Sequence, residues 1–126
     1  MHALFVDDEV EFLQLMEKRL SRRSMTIVTA PDGQSALDIV TEAMKQPETM
    51  FQVVVMDVRM PGMDGLETLR HMKKIAPKLP VLLLTGHASL GVAVQGMDLG
   101  AYDYMLKPVA INELIIKMEE AVRAAA

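Results

Sequence analysis

The chain has 126 residues, 51% of them hydrophobic and 24% charged, with a net charge of -4 and a pI near 5.3. That length suits one domain able to bury a core without covalent staples, and the hydrophobic share excludes a disordered chain. The excess of acid argues against a direct grip on nucleic acid, and the lack of cysteine excludes disulfides and thiolate metal sites. No apolar run approaches the roughly 18 residues of a membrane helix, and Asp7 and Asp8 come too early for a secretory signal, so a cytoplasmic protein is expected.

In chain order, residues 3–6 form a short apolar run, and residues 10–20 place Phe12, Leu13, Met16 and Leu20 on one side of a first helix. Residues 25–29 are short and β-branched, a second strand. Asp32 and Gly33 open a second helix through Leu37 and Val40, where Asp32 can accept bonds from the free N–H groups of the first turn. Residues 45–50 make a long polar connection broken by Pro47, expected to lengthen a helix or a surface loop far from any site. A third strand covers 51–56. Asp64, with Glu67 three residues on, has capping-box spacing and starts a helix that reaches Ile75 before Pro77 and Pro80 end it. A fourth strand at 81–84, a fourth helix at 89–99 and a fifth strand at 102–106 follow. Ile111, Leu114, Ile115, Met118 and Val122 then share one face of a closing helix. Gly91 and Gly96 each cost about 1 kcal/mol relative to alanine in a helix interior, so the fourth helix is expected to be weak and to be the part that moves. Short strands alternating with helices make an α/β domain with a parallel sheet.

The apolar runs stop on groups suited to magnesium and phosphate: Asp7 and Asp8, then Asp57, Thr85 and Lys107. Right-handed crossovers bring the C-terminal ends of parallel strands to one edge, the edge where ligands bind in such sheets. Three carboxylates, a hydroxyl and an ammonium gathered there could bind a divalent cation and accept a phosphoryl group on an aspartate, Asp57 being the proposed nucleophile. Each residue has a plainer use: Asp7 and Asp8 as helix caps, Thr85 as another, Tyr104 as strand packing, Lys107 as a surface lysine. Pro61, Gly62 and Gly65 read as turn residues. His2, His71 and His87 lack ligand spacing, and the twelve methionines read as adaptable filler.

Four segments together resemble the receiver domain of bacterial two-component response regulators. They are Val6-Asp7-Asp8-Glu9, the run from Met56 through Asp57 to Gly65, Leu84-Thr85-Gly86-His87-Ala88, and the run from Gly100 through Lys107 to Pro108. They occur in the family's order along nearly the whole chain. The resemblance implies a single receiver domain over residues 1–126 with a flavodoxin-like (βα)5 fold, a five-stranded parallel sheet in the order 2-1-3-4-5. It implies that Asp57 accepts phosphate from a sensor histidine kinase or phosphotransfer protein, and that Mg2+ is bound by Asp8, Asp57 and the Arg59 backbone carbonyl, with Asp7 acting mainly through water. Lys107 would pair with Asp57 and then with phosphoryl oxygens, aimed by a cis bond to Pro108. Thr85 and Tyr104 would switch the surface of the fourth helix, fifth strand and closing helix, through which a homodimer could also form.

Arg59 and His87 stand two residues after Asp57 and Thr85, where the family tunes the loss of phosphate. Arg59 is expected to reach over the phosphoryl site. Such a domain is a switch that assists its own phosphorylation rather than an enzyme, either stand-alone or part of a longer regulator with an output partner outside this sequence. A magnesium nuclease is disfavoured because Asp57-Val58-Arg59 lacks a second acid, and a dinucleotide fold because the first strand ends in acids rather than a glycine turn. A receiver-like interaction module that is never phosphorylated is the serious alternative.

Overall fold

The computed structural model describes residues 1–126. Strands β1 (His2–Val6), β2 (Thr26–Ala30), β3 (Val53–Asp57), β4 (Val81–Thr85) and β5 (Asp103–Leu106) alternate with helices α1 (Val10–Ser21), α2 (Gly33–Ala43), α3 (Gly65–Ile75), α4 (Leu90–Asp98) and α5 (Ile111–Ala125). Every pairing is parallel, in the order β2-β1-β3-β4-β5, so the flavodoxin-like arrangement holds.

β3 and β4 are buried at every position, which their unbroken Val-Val-Val-Met and Val-Leu-Leu-Leu runs require in a sheet covered on both faces. Side chains alternate between the two faces. Leu4, Val6, Val54, Met56 and Leu83 join Leu37, Leu69 and Ala93 in a core under α2, α3 and α4. Ala3, Phe5, Val55, Leu82 and Leu84 join Leu13, Met16 and Met118 in a second core under α1 and α5.

The expected caps form. Asp32 Oδ1 accepts the Ser35 N–H at 2.7 Å, and Asp64 Oδ1 accepts that of Glu67 at 2.9 Å. Boundaries shift where local bonding outweighs pattern. β2 lies one residue later than the apolar run suggested, and β3 begins at Val53, two residues after Phe51, whose ring lies against His2 with centroids 4.5 Å apart. The connection after α2 holds a 3-10 turn at Pro47–Thr49, whose Thr49 carbonyl lies 2.9 Å from His2 Nδ1. It therefore sits at the N-terminal edge of the strands, away from the acids. α4 is preceded by a 3-10 turn at His87–Ser89 and becomes α-helical only at Leu90.

The two α4 glycines differ in kind. A Cβ on Gly91 would meet nothing, whereas one on Gly96 would collide with the Leu83 side chain and approach Leu66 Cδ2 at 3.3 Å. Gly96 is thus a packing residue, and reading it only as a helix weakener is corrected here.

The Asp32 cap yields a pH test. Its bond to the Ser35 N–H holds the carboxyl below its ordinary value of 3.8. The cap's contribution is therefore complete above 3.8 and is lost as pH falls through the lower folded value. Asp32→Asn, which keeps an acceptor, should flatten the acid limb of thermal stability, and Asp32→Ala should lower stability at neutral pH as well; parallel melting curves for all three proteins would contradict this.

Candidate functional site

The backbone ladder runs past the strand ends and fixes the predicted residues on one edge. The Asp7 N–H bonds the Ala30 carbonyl at 3.1 Å, that of Val58 bonds Leu84 at 3.1 Å, and that of Lys107 bonds Thr85 at 2.8 Å. Asp57 closes β3 opposite Leu84. One oxygen of each buried acid is then anchored by its own loop: Asp7 Oδ1 accepts the Glu9 N–H at 2.9 Å, and Asp57 Oδ1 accepts that of Arg59 at 3.1 Å. Their remaining oxygens face Lys107. Its Nζ lies 2.7 Å from Asp7 Oδ2 and 3.3 Å from Asp57 Oδ2.

Asp7 is 1% exposed and Asp57 8%, whereas Asp8 faces solvent. One carboxylate oxygen from each of the three lies within 4.8 Å of the others. So many hard oxygen donors, with few cations to balance them, suit a divalent ion that keeps part of its water. Lys107 does contact Asp57, as expected, and its tightest contact is with Asp7. Burial pushes the Asp7 carboxyl above its ordinary 3.8, outweighing the hydrogen bond and charge of Lys107 that pull it down. Burial alone would lower Lys107, but its bond to Asp7 and the charges of Asp7 and Asp57 more than reverse that and raise it above 10.5. The two shifts thus have different causes: burial governs Asp7, and the neighbouring acids govern Lys107.

Two neighbours of Lys107 escaped the sequence reading. Glu9 Oε1 lies 3.3 Å from Nζ, and the Phe12 ring centroid lies 4.6 Å from it. A third acid after Asp7-Asp8 was visible in the sequence, but its direction was not.

Thr85 is fully buried and does not cap a helix; its hydroxyl donates to the Gly86 carbonyl at 3.0 Å. Tyr104 is half-buried against the core under α2, α3 and α4. His87 is exposed. Arg59 donates from Nε to the buried Ser89 hydroxyl, so its side chain is engaged with the 3-10 turn before α4 rather than lying free above Asp57. Asp8, Arg59, Met60 and Asp64 line an open cleft of about 440 Å3 beside the acids. An apolar groove of about 420 Å3 between Met44, Phe51, Leu79 and Val122 lies at the opposite sheet edge and touches none of these groups. The Lys107–Pro108 peptide is cis.

The model of the response regulator receiver domain matches residues 3–119. The chain belongs to that family. Receivers are the signalling switches of bacterial two-component systems, and they generally bind Mg2+ at an acidic pocket such as this one. The receiver is 36% identical over 120 residues to the DNA-binding transcriptional regulator NtrC of Klebsiella pneumoniae, covering 95% of this chain and 24% of that protein. It is 38% identical over 123 residues to the response regulator MprA of Mycolicibacterium vanbaalenii, covering 98% of this chain and 51% of that one. The chain thus spans a quarter to a half of the length of these relatives. Among solved structures, a response regulator receiver domain protein from Clostridium thermocellum superposes with a TM-score of 0.89 at 34% identity, covering 98% of this chain and 94% of that one. The receiver domain of NtrX from Brucella abortus gives 0.84 at 34%, covering 96% and 98%. No helix of the receiver is long and apolar enough to cross a membrane.

Gly65 is more than the turn residue it resembled. A Cβ there would lie 2.6 Å from both the Asp57 carbonyl oxygen and the Val58 Cα, so the first residue of α3 presses on the backbone that carries Asp57. Gly65→Ala should cost about 1–3 kcal/mol in denaturant unfolding and move the amide resonances of Asp57 and Val58. Gly91→Ala, which enters open space, should instead stabilise by up to about 1 kcal/mol. Equal effects of the two would refute this ranking.

Proposed function

We propose that residues 1–126 form a single receiver domain that is phosphorylated on Asp57 and changes its surface in response. A carboxylate oxygen of Asp57 attacks the phosphorus of a phosphohistidine on a sensor histidine kinase or phosphotransfer protein. The new P–O bond forms as the P–N bond breaks, and the imidazole leaves with the electron pair and takes up a proton. Asp8, Asp57 and the Arg59 backbone carbonyl would hold Mg2+, with Asp7 acting through water, and the bound ion would neutralise charge on the transferring oxygens. Lys107 gives up part of its pairing with the acids and binds a phosphoryl oxygen. The Thr85 hydroxyl leaves the Gly86 carbonyl to donate to another, and Tyr104 turns inward behind it.

The observation that carries this reading is the meeting of three carboxylates within 4.8 Å, with an ammonium 3.3 Å from Asp57. The surface that changes is α4, β5 and α5, where Val94, Met97, Leu106 and Ile116 are exposed; the same face serves a homodimer. The chain acts as a switch rather than an enzyme. By analogy with NtrC, a DNA-binding transcriptional regulator, it works within a transcriptional regulator, in the cytoplasm, and contact with DNA falls to an output partner or domain rather than to this acidic unit.

Incubation with acetyl phosphate and magnesium should add a single phosphoryl group to the parent by intact mass, and none to Asp57→Ala. No adduct with acetyl phosphate, phosphoramidate or a phosphorylated phosphotransfer protein would overturn the reading and favour the interaction module. Arg59 and His87 are assigned to the lifetime of the phosphate. Arg59→Asn, which also breaks the link to Ser89, should change the dephosphorylation rate several-fold, and an unchanged rate removes Arg59 from that role.

A further inference from the structure

Glu9 occupies the N-cap of α1, a position that favours Ser, Thr, Asp or Asn, yet its side chain makes no cap bond. Its carboxylate is directed to Lys107 instead. Glu9 Oε1 and Asp57 Oδ2 stand at the same 3.3 Å from the ammonium, with Asp7 Oδ2 closer at 2.7 Å. An ammonium has three donors, and these three acids take one each. The Phe12 ring, its centroid 4.6 Å from Nζ, attracts the same charge. Lys107 is therefore shared among Asp7, Glu9 and Asp57.

We propose that Glu9 is a positioning residue: it draws the Lys107 ammonium off Asp57, which leaves an Asp57 oxygen open to the cation, and it yields the ammonium when a phosphoryl group arrives. This rests on the function proposed above. Asp7 cannot take the part, because it is buried, is anchored by its own loop and already holds the shortest bond. Glu9 can, because its side chain is 66% exposed and water replaces the lost contact at small cost. Without its charge, only Asp7 and the Phe12 ring share the ammonium with Asp57 in a poorly solvated edge, and Lys107 shifts toward the Asp57 oxygen that the cation would use.

Glu9→Gln removes the charge, keeps the volume and alters an exposed side chain. In a metal-free crystal structure of this variant, Lys107 Nζ should stand nearer Asp57 Oδ2 than the present 3.3 Å. Magnesium affinity, read from the amide shifts of Asp57, Val58 and Arg59, should weaken by up to about fivefold, the scale of an exposed ion pair. In a Lys107→Met background the same substitution should leave the affinity unchanged, because the effect runs through Lys107. An unmoved Nζ overturns the inference whatever magnesium does. Equal weakening in both backgrounds also overturns it, assigning Glu9 a long-range pull on the cation alone. A parent that binds no magnesium sinks the proposed function, while the Nζ position still decides the question about Glu9.

Discussion

A buried carboxylate needs a counter-charge, and here one ammonium serves three acids. Asp7 is 1% exposed and would be costly to leave charged and alone; Lys107 at 2.7 Å offsets that cost. The pair joins residue 7 to residue 107, reaching from the end of β1 over β3 and β4 to the end of β5. It therefore closes the sheet edge as well as neutralising an acid. Yet Lys107 cannot balance Asp7, Asp57, Glu9 and the nearby Asp8 together, so the edge stays net negative. Folding tolerates this surplus because Asp8 and Glu9 lie in solvent, and the same surplus suits the edge to a divalent cation.

The two-residue alternation of the strands then divides the site. Asp7 follows the phase of Ala3 and Phe5, and Asp57 that of Val53 and Val55, which point to the core under α1 and α5. Lys107 follows Met105 on the same side, and its contact with Phe12 of α1 agrees. Thr85 follows Val81 and Leu83, and Tyr104 packs beside them, on the side of α4. Asp7, Asp57 and Lys107 thus belong to one face, whereas Asp8, in the cleft with Arg59 and Asp64, and the groups assigned to switching belong to the other. Under the proposed function, phosphate must be sensed across the strand edge, and Thr85, next to the residue paired with Asp57, brings a hydroxyl there.

What was legible in the sequence was one-dimensional. Asp7, Asp57, Thr85 and Lys107 could be found because each ends an apolar run, and parallel topology does the rest. Asp32 and Asp64 could be found because a cap acts within its own first turn. What stayed hidden depends on directions and distances that exist only after the helices are placed. Glu9 turning to Lys107, Phe12 lying against the ammonium, and Arg59 engaging Ser89 across thirty positions of chain are of this kind. Asp7 was underweighted for the same reason, since only burial reveals that it holds the tighter end of the Lys107 pair.

The glycines of α4 show how a propensity argument changes once packing is known. Summed as helix costs, Gly91 and Gly96 describe a helix weak along its length. In place, Gly96 and Ala93 are buried, and the missing Cβ of Gly96 is what lets α4 approach Leu83 of β4 and Leu66 of α3. The C-terminal half of α4 is therefore anchored by the residue that weakens it. The first turn is held less: Ser89 makes no side-chain cap bond to the helix, the chain enters through a 3-10 turn, and Gly91 faces open space. Ser89 is tied instead to Arg59, two residues beyond Asp57. Weakness is thus concentrated at the end of α4 that adjoins Thr85, so under the proposed function a disturbance at Asp57 would reach the loosest part of the helix first and leave its packed end as the pivot.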